Sequence, residues 1–257
     1  MDAPGSSRQP PAQLPIIAVA SGKGGVGKSS VAVAIGRELA RSGRKAGLVD
    51  ADIAGPDVPR MLGLRRDVPA RSITLARWGR SGRGGSGLEA MEVEGLKVAS
   101  AGFLMSGSQG LAFGSDLGDL MLARLIKETD WGDVEALVVD MPPGISFKQQ
   151  GVLSGAGRVA TILVVTPAEV SHLDTGRALS TLREVRTPVL GGVENMAYFE
   201  CPCCGEKTEL HASAPEERTI WASGVERLAR LPFRPNAVIN TADLAPVLEA
   251  VETHIAA

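Results

Sequence analysis

Residues 21–30 read SGKGGVGKSS, and this stretch decides the fold. Residues 22–29 within it fit the phosphate-loop pattern G-x-x-x-x-G-K-[ST]. Its glycines let consecutive backbone N–H groups turn inward around an anion, and the helix that follows adds positive potential there. We expect Lys28 to reach the β- and γ-phosphates and the Ser29 hydroxyl to ligate Mg²⁺. The alternative, a glycine-rich turn that binds nothing, is disfavoured because an apolar run precedes the loop and an amphipathic pattern follows it. The residues predicted to contact the nucleotide are Gly22, Gly24, Gly25, Val26, Gly27, Lys28, Ser29 and Ser30.

Short aliphatic runs alternate with stretches of helical spacing along the chain. The runs lie at 16–20, 46–49, 96–99, 136–139, 159–165 and 188–193. Continuous apolar runs of this length are typical of strands buried on both faces. The helical stripes are Val31, Ile35 and Leu39; Leu117, Leu120, Met121 and Leu125; and Leu244, Val247, Leu248, Val251 and Ile255. The alternation predicts an α/β fold with a mostly parallel sheet flanked by helices on both faces.

Composition limits the class of protein. The chain has 257 residues, of which 44% are hydrophobic and 22% charged, so disorder along the whole chain is excluded. With 27 basic and 29 acidic residues the net charge is −2, which excludes a protein that coats nucleic acid through a generally basic surface. The sequence has no apolar run of membrane-spanning length and no apolar leader at its start. We expect a flexible tail over 1–14 and a single domain over 15–257.

Acidic residues end two of the predicted strands. Asp140 follows Ala-Leu-Val-Val and precedes Met-Pro-Pro-Gly, as the acid of a Walker B motif does. Asp50 ends another run, and Asp52 lies two residues further on. Each acid alone could be a helix cap or a solvated turn. Because the carboxyl ends of parallel strands meet at one edge, three acids there indicate a Mg²⁺ site beside the phosphate loop.

The cysteines form one cluster, Cys201, Cys203 and Cys204. Their odd number and lack of distant partners argue against a disulfide framework and favour a reducing, cytoplasmic compartment. The C-x-x-C pair Cys201 and Cys204 can chelate a metal ion or one edge of an iron–sulfur cluster, and a complete site needs about four ligands. One chain offers two or three thiols, with His211 nearby, whereas a dimer offers two pairs. A Zn²⁺ knuckle and inert surface cysteines remain alternatives, and we expect residues 199–214 to form a small excursion from the sheet.

The phosphate loop resembles the deviant Walker A motif of the MinD/ParA/nitrogenase-iron-protein class of ATPases. In that class the extra lysine, here Lys23, contacts the phosphates of the partner subunit in a nucleotide-sandwich dimer. The resemblance implies that Asp50 contacts the Mg²⁺ shell and that Asp52, in switch I, positions the attacking water. It also implies that Pro143-Gly144 forms switch II, where the Gly144 N–H can bond the γ-phosphate and release it after hydrolysis.

Four other stretches resemble the Mrp/ApbC family of iron–sulfur cluster carrier ATPases. They are DADIAGPDVPRMLG at 50–63, VVDMPPG at 138–144, VVTPAEV at 164–170 and PVLGGVENMAYFECPCCGEKTE at 188–209. The resemblance implies a labile [4Fe–4S] cluster held by Cys201 and Cys204 of two subunits. It places Asn195 and the segment around Pro232 at the adenine, and implies ATP-coupled delivery from a cluster scaffold to apo-proteins.

This chain departs from the usual family pattern at four places, one of which is a short segment between CPCCG and the last strand. Switch II continues as Ile145-Ser146-Phe147 instead of Thr-Gly-Asp, and residues 113–116 replace Trp-Arg-Gly-Pro. Cys203 stands where His is usual, beside the second cysteine. These differences concern the rate of hydrolysis, the coupling of switch II to the cluster, and the identity of the client.

Two other functions compete with a cluster carrier. A MinD/ParA-like positioning ATPase would bind a membrane or DNA, but residues 241–257 carry no Lys or Arg on which a membrane-targeting helix depends. We therefore expect an ordinary packed helix there, and no membrane or nucleic-acid partner. A zinc-stabilised regulatory ATPase is the third possibility. The basic, glycine-rich segment 77–87 is interpreted as a mobile surface loop, and His172 and His254 as structural or solvent-facing.

Overall fold

A computed structural model describes residues 14–53, 55–64, 88–103, 115–234 and 239–257. Most of the predicted tail, the segment 77–87 and residues 113–114 lie outside these ranges. The helices are α1 (Lys28–Arg41), α2 (Val58–Met61), α3 (Ser115–Lys127), α4 (Phe147–Ser154), α5 (Glu169–Glu184) and α6 (Ala245–Ala256). The strands are β1 (Pro15–Ala20), β2 (Ala46–Asp50), β3 (Leu88–Glu89), β4 (Met91–Val93), β5 (Leu96–Ser100), β6 (Thr129–Asp130), β7 (Ala136–Asp140), β8 (Arg158–Val165), β9 (Val189–Glu200), β10 (Lys207–Glu209) and β11 (Arg227–Pro232).

Within the described residues, nine strands form one sheet in the order β10-β9-β8-β1-β7-β2-β5-β4, with β11 paired to β9. Pairing is parallel except at β4–β5 and β9–β10. Strands β3 and β6 form a separate short ladder. The predicted, mostly parallel sheet is therefore confirmed.

The two faces of the sheet bury separate cores. Along β1, Ile16 and Ala18 pack with residues of α3, α4 and α5, whereas Ile17 and Val19 pack with residues of α1 and α6. Successive strand residues point to opposite faces, so a strand that is apolar throughout needs helices on both sides. The stripes predicted for α1 and α6 contribute to the second core, as expected.

The stripe predicted for α3 is wrong in part. Leu120 is 50% exposed, whereas Met121, Leu122, Leu125 and Ile126 are buried. At about 100° per residue the four buried side chains fall within an arc of about 140°, and Leu120 lies about 170° from the centre of that arc. Leu14, the last residue of the predicted tail, is buried, and its carbonyl accepts the Arg158 N–H at 2.9 Å.

Strand β9 is twice as long as the predicted run at 188–193, and it passes beyond the end of β8. Between Glu194 and Tyr198 its pairing with β11 shifts register, and Met196 adopts a left-handed φ of 55°. This bulge re-aims the side chains between those two residues. Beyond the bulge, residues 198–200 pair with β10, so both arms of the cysteine hairpin lie in the sheet instead of leaving it.

Candidate nucleotide site and cysteine turn

The carboxyl ends of three central strands bring the predicted acids together. Asp140 pairs in register with Val19 of β1 and with Asp50 of β2, and Asp50 pairs with Ser100 of β5. The first residues after β1 form the phosphate loop, so the loop lies beside both carboxylates. The fold thus places the phosphate loop next to Asp50 and Asp140, as the sequence predicts.

The phosphate loop runs from the end of β1 to Lys28, where α1 begins. Gly25 and Gly27 have φ values of 78° and 87°, a left-handed conformation that glycine adopts without steric cost. The Gly22 N–H donates to Thr175 Oγ1 at 3.1 Å, which ties the loop to α5. Thr175 was not predicted, because no sequence signal links residues 153 positions apart.

Lys28 and Asp140 form a buried ion pair. The Lys28 ammonium lies 3.4 Å from Asp140 Oδ1, and the two side chains are 6% and 1% exposed. Burial raises the pKa of Asp140, and this effect outweighs the stabilisation of its carboxylate by Lys28 and by a hydrogen bond from Ser29. Within the described residues, Asp140 Oδ2 has no hydrogen-bond partner. An orphaned carboxylate oxygen beside a serine hydroxyl fits a Mg²⁺ ion bound with a nucleotide.

Asp50 is fully buried in the same corner. It accepts hydrogen bonds from the Ser100 hydroxyl at 2.9 Å and from the backbone N–H groups of Asp52 and Val58, each at 3.3 Å. Burial, together with the charge of Asp140, raises the pKa of Asp50 to about 8. Asp50 is therefore mostly protonated near pH 7 in the ligand-free chain, and a divalent cation bound in this corner would favour its carboxylate form. Ser100, which orients Asp50, was missed, although it is the polar residue that ends its own apolar run.

Asp52 is half-buried and starts the loop after β2. Its carboxylate accepts the Gly55 N–H at 3.3 Å, and its charge contributes to the raised pKa of Asp140. The water-positioning role assigned to it by resemblance stays a prediction. Lys23 is half-buried, and its carbonyl accepts the Ser21 hydroxyl at 2.8 Å. In the described part of the chain its ammonium forms no ion pair, so its contact in trans also stays a prediction.

The segment predicted to form switch II turns at Gly144, which has a φ of 83°. The Gly144 N–H donates to the Ser21 carbonyl at 2.9 Å, so bonding to a γ-phosphate requires this bond to be exchanged. The following Ser146 caps α4: its hydroxyl accepts the Gln149 N–H, and the Gln149 side chain accepts the Ser146 N–H. The departure from the family pattern therefore builds a capping box, which the S-x-x-Q spacing could have predicted.

The two residues placed at the adenine by resemblance lie near one another on neighbouring strands. Asn195 is buried, and its Nδ2 donates to the Val26 carbonyl of the phosphate loop at 2.8 Å. A Cβ at Gly27 would lie 2.1 Å from that nitrogen, so Asn195 supports the loop directly. Pro232 ends β11 in register with Tyr198. Adenine contact stays a prediction for both residues.

The cysteines occupy the turn between β9 and β10. The Cys201 N–H donates to the Glu206 carbonyl at 2.9 Å, and the Gly205 N–H donates to the Cys201 carbonyl at 2.8 Å. Hydrogen bonds to the Cys201 sulfur from the backbone N–H groups of Cys203 and Cys204, and from the Cys204 thiol, lower the pKa of Cys201. A thiolate is the form that binds metal, so this turn favours a ligand at Cys201.

Cys203 and Cys204 are exposed, Cys201 is half-buried, and all three are free thiols. Across the described ranges, no group of three or more His, Cys, Asp or Glu side chains is arranged to hold a metal ion. One copy of the chain therefore presents these thiols without completing a four-ligand site within the described residues. The same ranges contain no helix long and apolar enough to cross a membrane.

A parallel sheet whose first strand leads into this loop, with a buried lysine–aspartate pair at its base, defines a P-loop NTPase. The match extends to one family. Residues 14–257 match the model of the ParA family described as NUBPL iron-transfer P-loop NTPase, and the chain belongs to that family. The predicted resemblance to iron–sulfur carrier ATPases is confirmed at this level.

Known proteins agree with this assignment. The chain is 36% identical to the "Iron-sulfur protein required for NADH dehydrogenase, mitochondrial" of Arabidopsis thaliana, covering 91% of this chain and 71% of that one. It is 34% identical to the "Iron-sulfur cluster carrier protein" of Pyrococcus horikoshii, covering 84% and 73%. A solved structure of a nucleotide-binding protein from Archaeoglobus fulgidus, in complex with ADP, is 31% identical with a TM-score of 0.66, covering 93% and 88%.

Proposed function

We propose that this protein is an ATPase that carries an iron–sulfur cluster. In this proposal, two copies hold one [4Fe–4S] cluster between their Cys201 and Cys204 side chains and deliver it to apo-proteins. The observation that carries the proposal is the presence, in one domain, of a complete phosphate loop and a hairpin presenting a chelating thiol pair. The names of the two relatives support the cargo, and the ADP-bound neighbour supports the nucleotide.

The phosphate loop would hold the nucleotide. Backbone N–H groups of residues 23–27 would surround the phosphates, while the Gly22 N–H holds the loop to Thr175, and the Lys28 ammonium would neutralise the β- and γ-phosphates from the base of the loop. Ser29 and Asp140 would hold Mg²⁺ directly, and Asp50 would act on its water shell. When bound, Mg²⁺ supplies positive charge that offsets the charge developing on the phosphates.

Hydrolysis would then depend on three residues of this chain. Asp52 orients the attacking water from the half-buried start of switch I. Lys23 reaches the phosphates of the partner subunit, as an arginine finger does. The Gly144 N–H leaves the Ser21 carbonyl for the γ-phosphate and returns after hydrolysis, which converts the nucleotide state into a movement of switch II.

Two copies of the turn would provide four thiolates, the number that one [4Fe–4S] cluster takes. The N–H groups that already surround the Cys201 sulfur stabilise its thiolate before the cluster arrives. Exposure of Cys204 at the tip of the hairpin leaves the cargo accessible to an acceptor protein. We expect a scaffold to load the cluster and apo-proteins to receive it, in a reducing compartment such as the cytoplasm, with no membrane or nucleic-acid partner.

Anaerobic reconstitution with iron and sulfide tests the cargo. The wild-type chain should become brown, elute as a dimer, and contain about four iron and four sulfide per two chains. Cys201→Ala and Cys204→Ala should lose the iron but keep ATP affinity, whereas Cys203→Ala should keep both. A colourless monomer would refute the proposal, and a colourless dimer containing zinc would favour the regulatory ATPase with Zn²⁺.

Steady-state turnover tests the ATPase. Lys23→Ala should bind ATP normally and hydrolyse it more slowly, because only the contact made across the dimer is lost. Lys45→Ala is a matched control: Lys45 pairs with Asp133 at the surface, away from the loop. Normal turnover by Lys23→Ala would mean that this lysine makes no contact in trans.

A further inference from the structure

Arg230, on β11, joins two carboxylates that belong to different parts of the molecule. Its Nε donates to Glu194 Oε2 at 2.7 Å, and its Nη2 donates to both oxygens of Glu209, also at 2.7 Å. Glu194 lies on β9 before the bulge, and Glu209 lies on β10, in the cysteine hairpin. A planar guanidinium can serve two carboxylates at once, which an ammonium cannot do with the same geometry.

Glu194 depends on this contact because it is buried. Its side chain is 6% exposed, and a buried carboxylate is stable only when charged partners and hydrogen bonds compensate it. In the described residues, three side chains face it: Arg230 at 2.7 Å, Arg227 at 3.5 Å and His172 at 4.0 Å. Burial lowers the pKa of His172, so its ring is neutral near pH 7. Arg230 is therefore the closest of the cations that hold Glu194.

The contacts of Arg230 with Glu194 and Glu209 form a bridge, and its Glu194 end lies beside a residue that contacts the nucleotide site. The residue after Glu194 is Asn195, whose side chain donates to the Val26 carbonyl of the phosphate loop. Asn195 lies in the bulge of β9, so the strand that carries Glu194 is bonded to the phosphate loop at the next residue. Asn195 and Glu194 are thus adjacent on one strand, and Asn195 is bonded to the phosphate loop whereas Glu194 is bonded to Arg230.

The second end of the bridge reaches the cysteine turn. Glu209 pairs across the hairpin with Tyr198, and the same hairpin closes through the Cys201–Glu206 hydrogen bond. The Tyr198 ring lies 5.8 Å from the Arg230 guanidinium and 4.8 Å from the Lys207 ammonium. These contacts fix the orientation of the hairpin relative to β11 and the bulge.

We propose that Arg230 is a positioning residue that couples the phosphate loop to the cysteine turn. Nucleotide in the loop and metal at Cys201 and Cys204 alter each other's affinity through Asn195, Glu194, Arg230 and Glu209. The inference rests on the proposed cluster-holding role of the turn, and it adds the route by which the two sites communicate. Coupling of this kind is reciprocal, so either ligand reports on it.

Co²⁺ titration under anaerobic conditions measures the coupling, because thiolate-to-cobalt charge transfer gives an absorption band. The measured quantity is the ratio of Co²⁺ affinities with and without a non-hydrolysable ATP analogue and Mg²⁺. In the wild type we expect a ratio of about fivefold or more, the lower end of typical coupling between sites. Arg230→Lys and Glu209→Gln should bring the ratio below about twofold, because neither variant keeps the two-carboxylate bridge.

Arg44→Lys is the matched control. Arg44 also makes a two-point contact with a glutamate, Glu252, and is 37% exposed compared with 38% for Arg230. It lies on the other side of the fold from the hairpin, in contact with α6, so its replacement should leave the ratio unchanged. If Arg230→Lys does not fold, the ratio of Co²⁺ affinities measured for Glu209→Gln still tests the coupling, since this variant leaves the Glu194–Arg230 pair in place.

Hydrogen exchange of the Cys201 and Gly205 amides gives an independent measurement. Both amides close the turn, and their protection should change on nucleotide binding in the wild type and in Arg44→Lys but not in Arg230→Lys. The inference would be overturned if Arg230→Lys weakened Co²⁺ binding equally with and without nucleotide, because a purely structural role of Arg230 would give that result. A wild-type ratio of one would also overturn it, and if the reconstituted dimer then still holds iron, the proposed function stands.

Discussion

Gly22→Ala tests the contact between the phosphate loop and α5 more directly than any change to a charged residue. A Cβ at position 22 would lie 2.1 Å from the carbonyl carbon of Asp174, 2.2 Å from the Thr175 nitrogen and 2.4 Å from the Asp174 oxygen. All three are backbone atoms of a helix whose inner face is buried, so no side-chain rotation relieves the overlap. The substitution must push the loop and the helix apart by more than 1 Å, roughly the difference from ordinary van der Waals contact.

The cost follows from this geometry. Overpacking a well-packed core costs about 1–3 kcal/mol, and a clash with helix backbone belongs at the upper end of that range. The Gly22–Thr175 hydrogen bond is stretched at the same time, which adds about 1 kcal/mol. Together these effects amount to about 4 kcal/mol, which for a chain of this size corresponds to a fall of roughly 8–16 °C in Tm. Thermal unfolding of the ligand-free protein, followed by circular dichroism, measures it, and ADP affinity should fall as well.

Gly24→Ala is the matched control, since it places the same methyl group in the same loop. No atom of the described residues lies within 4 Å of a Cβ at this position. Its free energy of unfolding should stay within about 0.5 kcal/mol of the wild type. An equal fall in Tm for both variants, or a change below about 2 °C for Gly22→Ala, would refute the proposed packing of loop against helix.

Three other changes have definite expected outcomes. Lys28→Ala should abolish ATP binding in calorimetric titrations and leave the Asp140 carboxylate without its ammonium; retained affinity would contradict the phosphate-loop assignment. The pKa of Asp50 is raised from 3.8 to about 8, so the unfolded chain releases this proton near pH 4 and the folded, ligand-free chain only near pH 8. The free energy of unfolding should therefore fall as pH rises between these values, by up to about 1.4 kcal/mol per pH unit, and denaturant titrations of Asp50→Asn should show a flatter dependence. Arg186 follows α5 with a φ of 58°, so Arg186→Gly should raise the free energy of unfolding by about 0.5–1 kcal/mol with ADP affinity unchanged; a loss of stability would contradict this reasoning.

The sequence by itself determined the features that are local in the chain. A phosphate loop is a run of consecutive residues, so its glycines, Lys28 and Ser29 can be identified from the sequence alone. The proximity of the acids at the ends of β2 and β7 could also be predicted, because parallel strands bring their carboxyl ends to one edge of the sheet whatever their order. The C-x-x-C turn is local too, and the odd number of cysteines already argued against a disulfide framework.

Only the tertiary structure decided which distant residues support these features. Thr175 and Asn195 hold the loop from 153 and 169 positions away, a separation at which no periodicity or motif carries information. The bulge in β9 lies between the end of its pairing with β8 at Glu194 and the start of its pairing with β10 at Tyr198, and pairing is a property of the sheet. The contacts of Arg230 span this bulge, from Glu194 to Glu209, so the proposed coupling between nucleotide and cysteines rests on the fold and not on any one stretch of sequence.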